Sequence, residues 1–136
     1  MESMTNPRQS FTVLLVEDDK TALDLLANIL TKKYPNTALY TAINARTGLE
    51  LFTTHVPDIV ITDINMPDMS GVQMAAKIWA IKPGSKFIVI TGNTEQHSLD
   101  NSIGAGFEIE HYIPKPIEFR LLFAAIEQCT GEISKL

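Results

Sequence analysis

Cysteine is almost absent from the sequence: Cys129 is the single one, so no disulfide can form within the chain. This excludes a disulfide-stabilised secreted fold and makes the reducing cytoplasm the expected location. Long apolar runs are absent as well, since none approaches the roughly 20 residues of a membrane-spanning helix. The first ten residues, MESMTNPRQS, lack the basic and apolar segments of a signal peptide. We therefore expect no membrane association and predict that residues 1–10 form a flexible leader.

Basic residues are too few and too scattered for a nucleic-acid-binding surface. Eleven Lys and Arg stand against 16 Asp and Glu, which gives a net charge of -5. Binding to phosphate backbones needs clustered basic side chains, so we expect no direct contact with nucleic acid. The chain has 136 residues, of which 45% are hydrophobic and 20% charged. That is enough for one domain with a buried core, which we assign to residues 11–136.

Five short apolar segments alternate with segments of helical periodicity. The predicted strands are FTVLLV, TALYTA, DIVITD, KFIVITG and HYIPKP, and the predicted helices follow them, the last two over 94–106 and 117–129. Such alternation is typical of a parallel sheet covered by helices on both faces. We therefore predict an α/β fold with a doubly wound, five-stranded parallel sheet. The flavodoxin-like strand order 2-1-3-4-5 is favoured, because its switch point lies between the two strands that end in acids.

Polar side chains follow the strands on both sides of that switch point. Glu17 and Asp18 come after the first strand, and Asp63 ends the third. Three carboxylates so close would repel one another unless a cation neutralised them, and Mg²⁺ accepts oxygen ligands while leaving positions for phosphate oxygens. Thr91 adds a hydroxyl after the fourth strand, and Lys115 adds a mobile positive charge after the fifth. The residues therefore predict a divalent-metal phosphate site.

Four segments together resemble the receiver domain of bacterial two-component response regulators. They are LLVEDD, DINMPDMSG, VITG and YIPKP, and they occur in the order and spacing of that family over residues 11–129. Each one alone is a weak signal, because acids after strands are common. The combination is specific. One departure is GFEIEH, over 106–111, which makes the link before the fifth strand longer than is usual in the family.

The resemblance implies a role for each residue that would handle the phosphoryl group. Asp63 matches the phospho-acceptor, and Lys115 matches the lysine that binds the phosphoryl group. Thr91 matches the switch hydroxyl and Tyr112 the switch aromatic. The resemblance also implies a cis peptide bond between Lys115 and Pro116, which X-Pro chemistry permits at modest cost.

The resemblance further implies Mg²⁺ as the cofactor. Its ligands would be the carboxylates of Glu17, Asp18 and Asp63, with Asp18 binding directly and Glu17 through water. Asn65, two residues beyond the acceptor, matches the position that offers a backbone carbonyl to the metal. Asp19, in contrast, is interpreted as the N-cap of the first helix rather than as a ligand, and Ser70 is the predicted N-cap of the third helix.

The implied function is a signalling switch and not a stand-alone enzyme. Asp63 would take a phosphoryl group from a sensor histidine kinase or a phosphotransfer protein, and the domain would catalyse its own phosphorylation and dephosphorylation. Thr91 and Tyr112 would then alter the face formed by the fourth helix, the fifth strand and the fifth helix, which controls a downstream effector domain or protein. A phosphorylation-dependent homodimer through this face is compatible with the resemblance. Stand-alone and multidomain arrangements both stay open.

Three other functions compete with the switch. A Mg²⁺-dependent phosphatase or phosphotransferase for small molecules would need a substrate-binding cap, and the chain offers no segment for one. A flavodoxin-like cofactor binder would need a phosphate loop rich in Gly, Ser and Thr after the first strand, where the chain has EDDK. A degenerate receiver used only for protein interaction is disfavoured, because every acidic and basic site group is present.

Overall fold

The computed structural model describes residues 11–92 and 109–134. Its centre is a five-stranded sheet in which all neighbouring strands are parallel, in the order β2-β1-β3-β4-β5. The strands are β1 (Thr12–Val16), β2 (Ala38–Ala42), β3 (Ile59–Asp63), β4 (Lys86–Thr91) and β5 (His111–Pro114). The predicted fold class and strand order are confirmed.

The helices within the described ranges are α1 (Lys20–Lys33), α2 (Ala45–His55), α3 (Gly71–Ile81) and α4 (Phe119–Ser134). Here α4 is the fifth helix of the sequence prediction, because the helix predicted over 94–106 lies outside the described residues. The predicted caps are confirmed: Asp19 accepts hydrogen bonds from the backbone at the start of α1, and Ser70 forms a capping box with Gln73 at the start of α3. No helix in the described ranges is long and apolar enough to cross a membrane.

The two faces of the sheet carry separate apolar clusters. On one face, side chains such as Val60 and Val89 pack with α2 and α3; on the other, Ile61 and Ile90 pack with α1 and α4. All five residues of β3 are buried, because β1 and β4 flank the strand and helices cover both of its faces. Asp63, the last residue of β3, therefore stands at the end of a strand that is buried throughout.

The last helix begins and ends later than predicted. The apolar periodicity suggested residues 117–129, whereas α4 covers Phe119–Ser134. Its additional final turn is held by tertiary contacts: Glu132 forms an ion pair of 3.0 Å with Lys86 of β4, and Ile133 packs against the apolar cluster on that face. The prediction was wrong at this end because the stabilising partner lies on a distant strand.

Candidate functional site

Three carboxylates meet at the carboxyl edge of the sheet, where the strand order reverses. Glu17 and Asp18 follow β1 and Asp63 ends β3; one carboxylate oxygen from each lies within 4.8 Å of the others. Parallel pairing of Val16 with Thr62 brings these two strand ends side by side. The structure thus brings together the three acids that the sequence analysis placed at one site.

Asp63 is held through both of its carboxylate oxygens. Oδ1 accepts a hydrogen bond from the backbone N–H of Ile64 at 2.8 Å, and Oδ2 accepts one from Nζ of Lys115 at 2.9 Å. The Asp63 side chain is 5% exposed, whereas that of Lys115 is 45% exposed. A buried carboxylate needs such partners to remain charged. The lysine therefore reaches a fixed, buried acid from the solvent side.

The backbone of Lys115 is fixed by the neighbouring strand. Its N–H donates to the carbonyl oxygen of Thr91 at 2.8 Å, and the following bond to Pro116 is cis, as the resemblance implied. Thr91 ends β4 and is buried. The hydroxyl-bearing residue and the lysine are therefore neighbours at the edge of the sheet that carries the acids.

Thr91 and Tyr112 lie on the same face of the sheet. In the pairing of β4 with β5, Val89 lies opposite Tyr112 and Thr91 lies opposite Pro114. Because side chains alternate between faces with a period of two, Val89, Thr91 and Tyr112 share one face. Tyr112 is half-buried and packs against the apolar cluster of that face.

Asn65 lies in the β3–α3 loop, residues 64–70, which connects Asp63 to α3. Its side chain is exposed, and its position two residues beyond Asp63 keeps it next to the acids. The N–H of Gly71 donates to the carbonyl oxygen of Ile64 at 2.7 Å, which closes the base of the loop.

Glu17 is the most perturbed acid of the site. Its pKa rises from the ordinary 4.5 to about 7, chiefly because burial disfavours the charged form and also because of the negative charge of Asp63. The backbone N–H of Asp19, 3.1 Å from Oε2 of Glu17, acts in the opposite direction. Burial and the neighbouring carboxylate thus both favour the neutral form of Glu17 in the metal-free site.

We expect the metal-free chain to lose stability as the pH rises from about 5 to about 7. The pKa of Glu17 is higher in the folded chain than its ordinary 4.5, so the folded state binds more protons in this window. The contribution of Glu17 to stability is complete below its pKa in the unfolded chain. It is lost as the pH rises through its higher pKa in the folded chain, and the loss is about 1–2 kcal/mol. Urea unfolding in a chelator, at several pH values, measures this loss. Glu17→Gln should flatten the slope; an unchanged slope contradicts the assignment.

The donor set fits a hard divalent cation. It consists of carboxylate oxygens only, two of the three acids are buried, and Asp18 is exposed to solvent. Mg²⁺ prefers such ligands, together with water and phosphate oxygens, and its positive charge would favour the ionised form of Glu17, which burial and the charge of Asp63 disfavour. Elsewhere in residues 11–92 and 109–134, no other group of three acidic, His or Cys side chains meets the same distance criterion.

Comparison with known proteins identifies the family of the chain. The family model described as the response regulator receiver domain matches residues 13–127. The chain belongs to this family. A chemotaxis protein, CheY of Thermotoga maritima, is 34% identical over 78% of this chain and 86% of its own length. A solved CheY-like receiver domain protein from Methanospirillum hungatei is 30% identical, with a TM-score of 0.80, over 92% of this chain and 97% of that one.

Other relatives of the receiver domain are much longer. YesN of Bacillus subtilis, named an uncharacterized transcriptional regulatory protein, is 29% identical over 92% of this chain but only 34% of its own length. The transcriptional regulatory protein GlrR of Escherichia coli is 30% identical over 85% of this chain and 25% of its own length. The chain therefore spans about a third or a quarter of these two curated relatives.

Gly71, the first residue of α3, has a structural role that the sequence alone did not predict. A Cβ added to this glycine would overlap the carbonyl oxygen of Asp63 and lie 3.1 Å from Cγ2 of Thr62. Only a residue without a side chain lets the receiver domain pack the start of α3 against the end of β3. A glycine directly after the N-cap Ser70, where better helix formers are available, was the signal for this close approach.

Asp68, in the β3–α3 loop, likewise makes contacts that the sequence alone did not predict. Its carboxylate accepts hydrogen bonds from the backbone N–H groups of Ala45 at 3.2 Å and Arg46 at 2.8 Å. These donors start α2 and precede Asp68 by more than twenty residues. No local pattern in the receiver sequence indicates such a pairing.

Proposed function

We propose that this receiver domain is a phosphorylation-dependent switch of two-component signalling. Asp63 accepts a phosphoryl group from a partner histidine kinase or phosphotransfer protein. The observation that carries the proposal is the environment of Asp63. Its buried carboxylate accepts a hydrogen bond from Lys115, and one of its oxygens lies within 4.8 Å of a carboxylate oxygen of each of two further acids. A structural aspartate at a strand end has no need of these neighbours, whereas a nucleophile for phosphoryl transfer needs both the positive charge and the metal-binding acids.

The transfer needs little beyond positioning and charge neutralisation. One carboxylate oxygen of Asp63 attacks the phosphorus in line; the P–O bond forms as the P–N bond of the phosphohistidine breaks, and the electron pair leaves with the imidazole nitrogen. Nζ of Lys115, already at Asp63, offsets charge on the transferred oxygens. Glu17, Asp18, Asp63 and the backbone carbonyl of Asn65 would hold Mg²⁺, which would supply further positive charge when bound.

The chain catalyses this reaction only on itself. Water attacking the same phosphorus releases phosphate and restores the free carboxylate of Asp63. No separate small-molecule substrate is turned over, so the domain acts as a switch whose lifetime is set at its own site. We assign the receiver domain to residues 11–136. We also assign it to the cytoplasm, because a chain with one cysteine forms no internal disulfide and so needs no oxidising compartment.

An apolar groove beside the acceptor suits the approach of the phosphoryl donor. The groove has a volume of about 370 Å³ and lies between α1 and the segment after β5, with Glu17 and Lys115 on its wall. Its apolar lining includes Leu25, which is 54% exposed, and Phe119. A donor protein seated here would present its phosphohistidine to Asp63 in a fixed orientation.

The output runs through the sheet face shared by Thr91 and Tyr112. The hydroxyl of Thr91 moves towards the acyl phosphate, and Tyr112, half-buried on the same face, occupies the space vacated. This shifts a two-state equilibrium on the surface formed by the predicted helix over 94–106, β5 and α4. That surface controls a downstream effector domain or protein and is the place for a phosphorylation-dependent homodimer. The names of YesN and GlrR favour an effector in transcription.

Acetyl phosphate tests the proposal without a partner protein. We expect intact mass measurement to detect one added phosphoryl group on the wild-type chain in the presence of Mg²⁺. The adduct should disappear when a chelator replaces Mg²⁺, and Asp63→Asn, which keeps the shape of the acceptor, should carry none. If the wild type gains no phosphoryl group from acetyl phosphate or from a phosphorylated donor protein, the chain is an interaction module and the proposal is wrong.

A further inference from the structure

The start of α2 is completely capped, but by two different parts of the chain. The N-cap residue, Asn44, accepts a hydrogen bond from the N–H of Thr47 at 2.8 Å, and its carbonyl oxygen accepts the first intrahelical bond, from Gly48 at 3.0 Å. The remaining N–H groups of the first turn, those of Ala45 and Arg46, donate to the carboxylate of Asp68. No donor of the first turn is left to solvent.

Asp68 uses both carboxylate oxygens for this contact. Oδ1 accepts from Ala45 at 3.2 Å and Oδ2 from Arg46 at 2.8 Å, while Oδ1 also accepts from the N–H of Met69 within its own loop at 3.0 Å. These bonds hold the pKa of Asp68 below its ordinary value, the bond from Arg46 most strongly. The negative charge also lies at the positive end of the α2 dipole. The carboxylate is thus matched to the helix end in geometry and in charge.

The contact ties the β3–α3 loop to a separate element of the fold. The base of the loop is closed by the bond from Gly71 to Ile64, and Met66 and Met69 pack against the apolar cluster on the α2 and α3 face. Asp68 adds directional bonds to the start of α2. Asn65 stands between the base of the loop and this anchor, so both ends of its short segment are fixed.

We propose that Asp68 is a positioning residue for the metal site: by anchoring the β3–α3 loop to α2, it sets where the backbone carbonyl of Asn65 stands relative to the Asp63 carboxylate. The inference rests on the proposed function, because it gives the loop a task only if the site binds Mg²⁺. It differs from a role in helix capping alone. A cap would stabilise α2 and leave the metal site unchanged, whereas an anchor changes the metal affinity.

Two alanine variants separate these roles. Asp68→Ala removes the anchor and the cap together, whereas Asn44→Ala removes only the cap that α2 supplies to itself through Thr47. Both residues lie outside the set of carboxylates at the site, and each variant loses only hydrogen bonds at a helix start or within a loop, so the variants are expected to fold. The measurements are the dissociation constant of Mg²⁺ by calorimetry, the labelling rate with acetyl phosphate at saturating Mg²⁺, and urea unfolding.

We expect Asp68→Ala to weaken Mg²⁺ binding by roughly 10-fold, the lower end of the range for residues that orient metal ligands without binding the metal. Asn44→Ala should lower the free energy of unfolding about as much as Asp68→Ala does, but its Mg²⁺ affinity should stay within about two-fold of the wild type. Asp68→Asn, which retains one oxygen acceptor, should fall between wild type and alanine. Equal Mg²⁺ affinity in wild type and Asp68→Ala would overturn the inference, as would an equal loss in Asn44→Ala. Wild-type Mg²⁺ binding and labelling are measured first, so failure of the switch itself is recognised separately.

Discussion

Replacing Lys115 with alanine should slow the labelling of Asp63 by acetyl phosphate by roughly 10²- to 10³-fold. This is the range seen when an active site loses one preorganised hydrogen-bond donor that stabilises developing negative charge. Nζ of Lys115 lies 2.9 Å from Oδ2 of Asp63 before any phosphoryl group arrives. It is therefore in place to offset the charge that develops on the transferred oxygens. The fold should survive, because the side chain is 45% exposed and fills no part of the core. The measurement is the rate of adduct formation by intact mass at saturating Mg²⁺.

Lys86→Ala is the matched control for this prediction. Lys86 makes an ion pair of similar length, 3.0 Å to Glu132, but at the beginning of β4, the end of that strand opposite Thr91. It should label at the wild-type rate, although its α4 contact is lost. Lys115→Arg keeps the charge but not the compact ammonium group, so partial activity is expected. A wild-type rate for Lys115→Ala would show that the lysine is only a surface partner of Asp63.

The elements that could be predicted from the sequence are those whose signals are local. Asp19 and Ser70 were recognised as helix caps because a cap bonds to the backbone two or three residues away. The strands were recognised because apolar, β-branched runs of that length have few alternatives. The strand order could be inferred because acids after β1 and β3 require those strand ends to be adjacent. The sequence therefore predicts the meeting of Asp63, Glu17 and Asp18 that the structure shows.

The features that could not be predicted depend on contacts between distant segments. The end of α4 is stabilised by an ion pair between Glu132 and Lys86 on β4, and the apolar periodicity of the helix does not indicate that pair. Asp68 was indistinguishable from an ordinary loop acid, since its partner Arg46 precedes it by 22 residues. From the sequence, Gly71 is only the last residue of the DINMPDMSG segment. Its physical task, close contact with the backbone of Asp63, requires the packing of α3 on β3.

Gly71→Ala should destabilise the chain by about 2 kcal/mol or more, the upper part of the range for overpacking a buried site. The added methyl group would overlap the backbone carbonyl oxygen of Asp63, which cannot rotate away as a flexible side chain could. Relief requires α3 to move away from β3, and the bond from the Gly71 N–H to Ile64 would lengthen with it. Because the displaced carbonyl belongs to the acceptor itself, labelling of Asp63 should fall together with stability. Urea unfolding and the acetyl phosphate rate, measured on the same preparation, check both effects.

Gly131→Ala provides a control with the opposite expected sign. Gly131 lies within α4, and a Cβ added there meets no atom within 4 Å. Alanine should therefore stabilise the chain by about 0.5–1 kcal/mol, because the unfolded chain loses conformational freedom and helix propensity improves. Its labelling rate should equal that of the wild type. The same substitution at two helical glycines would then have opposite effects on stability, and only the one at the acceptor would alter the chemistry. If Gly71→Ala were as stable as the wild type, the packing of α3 against Asp63 would be looser than the structure indicates.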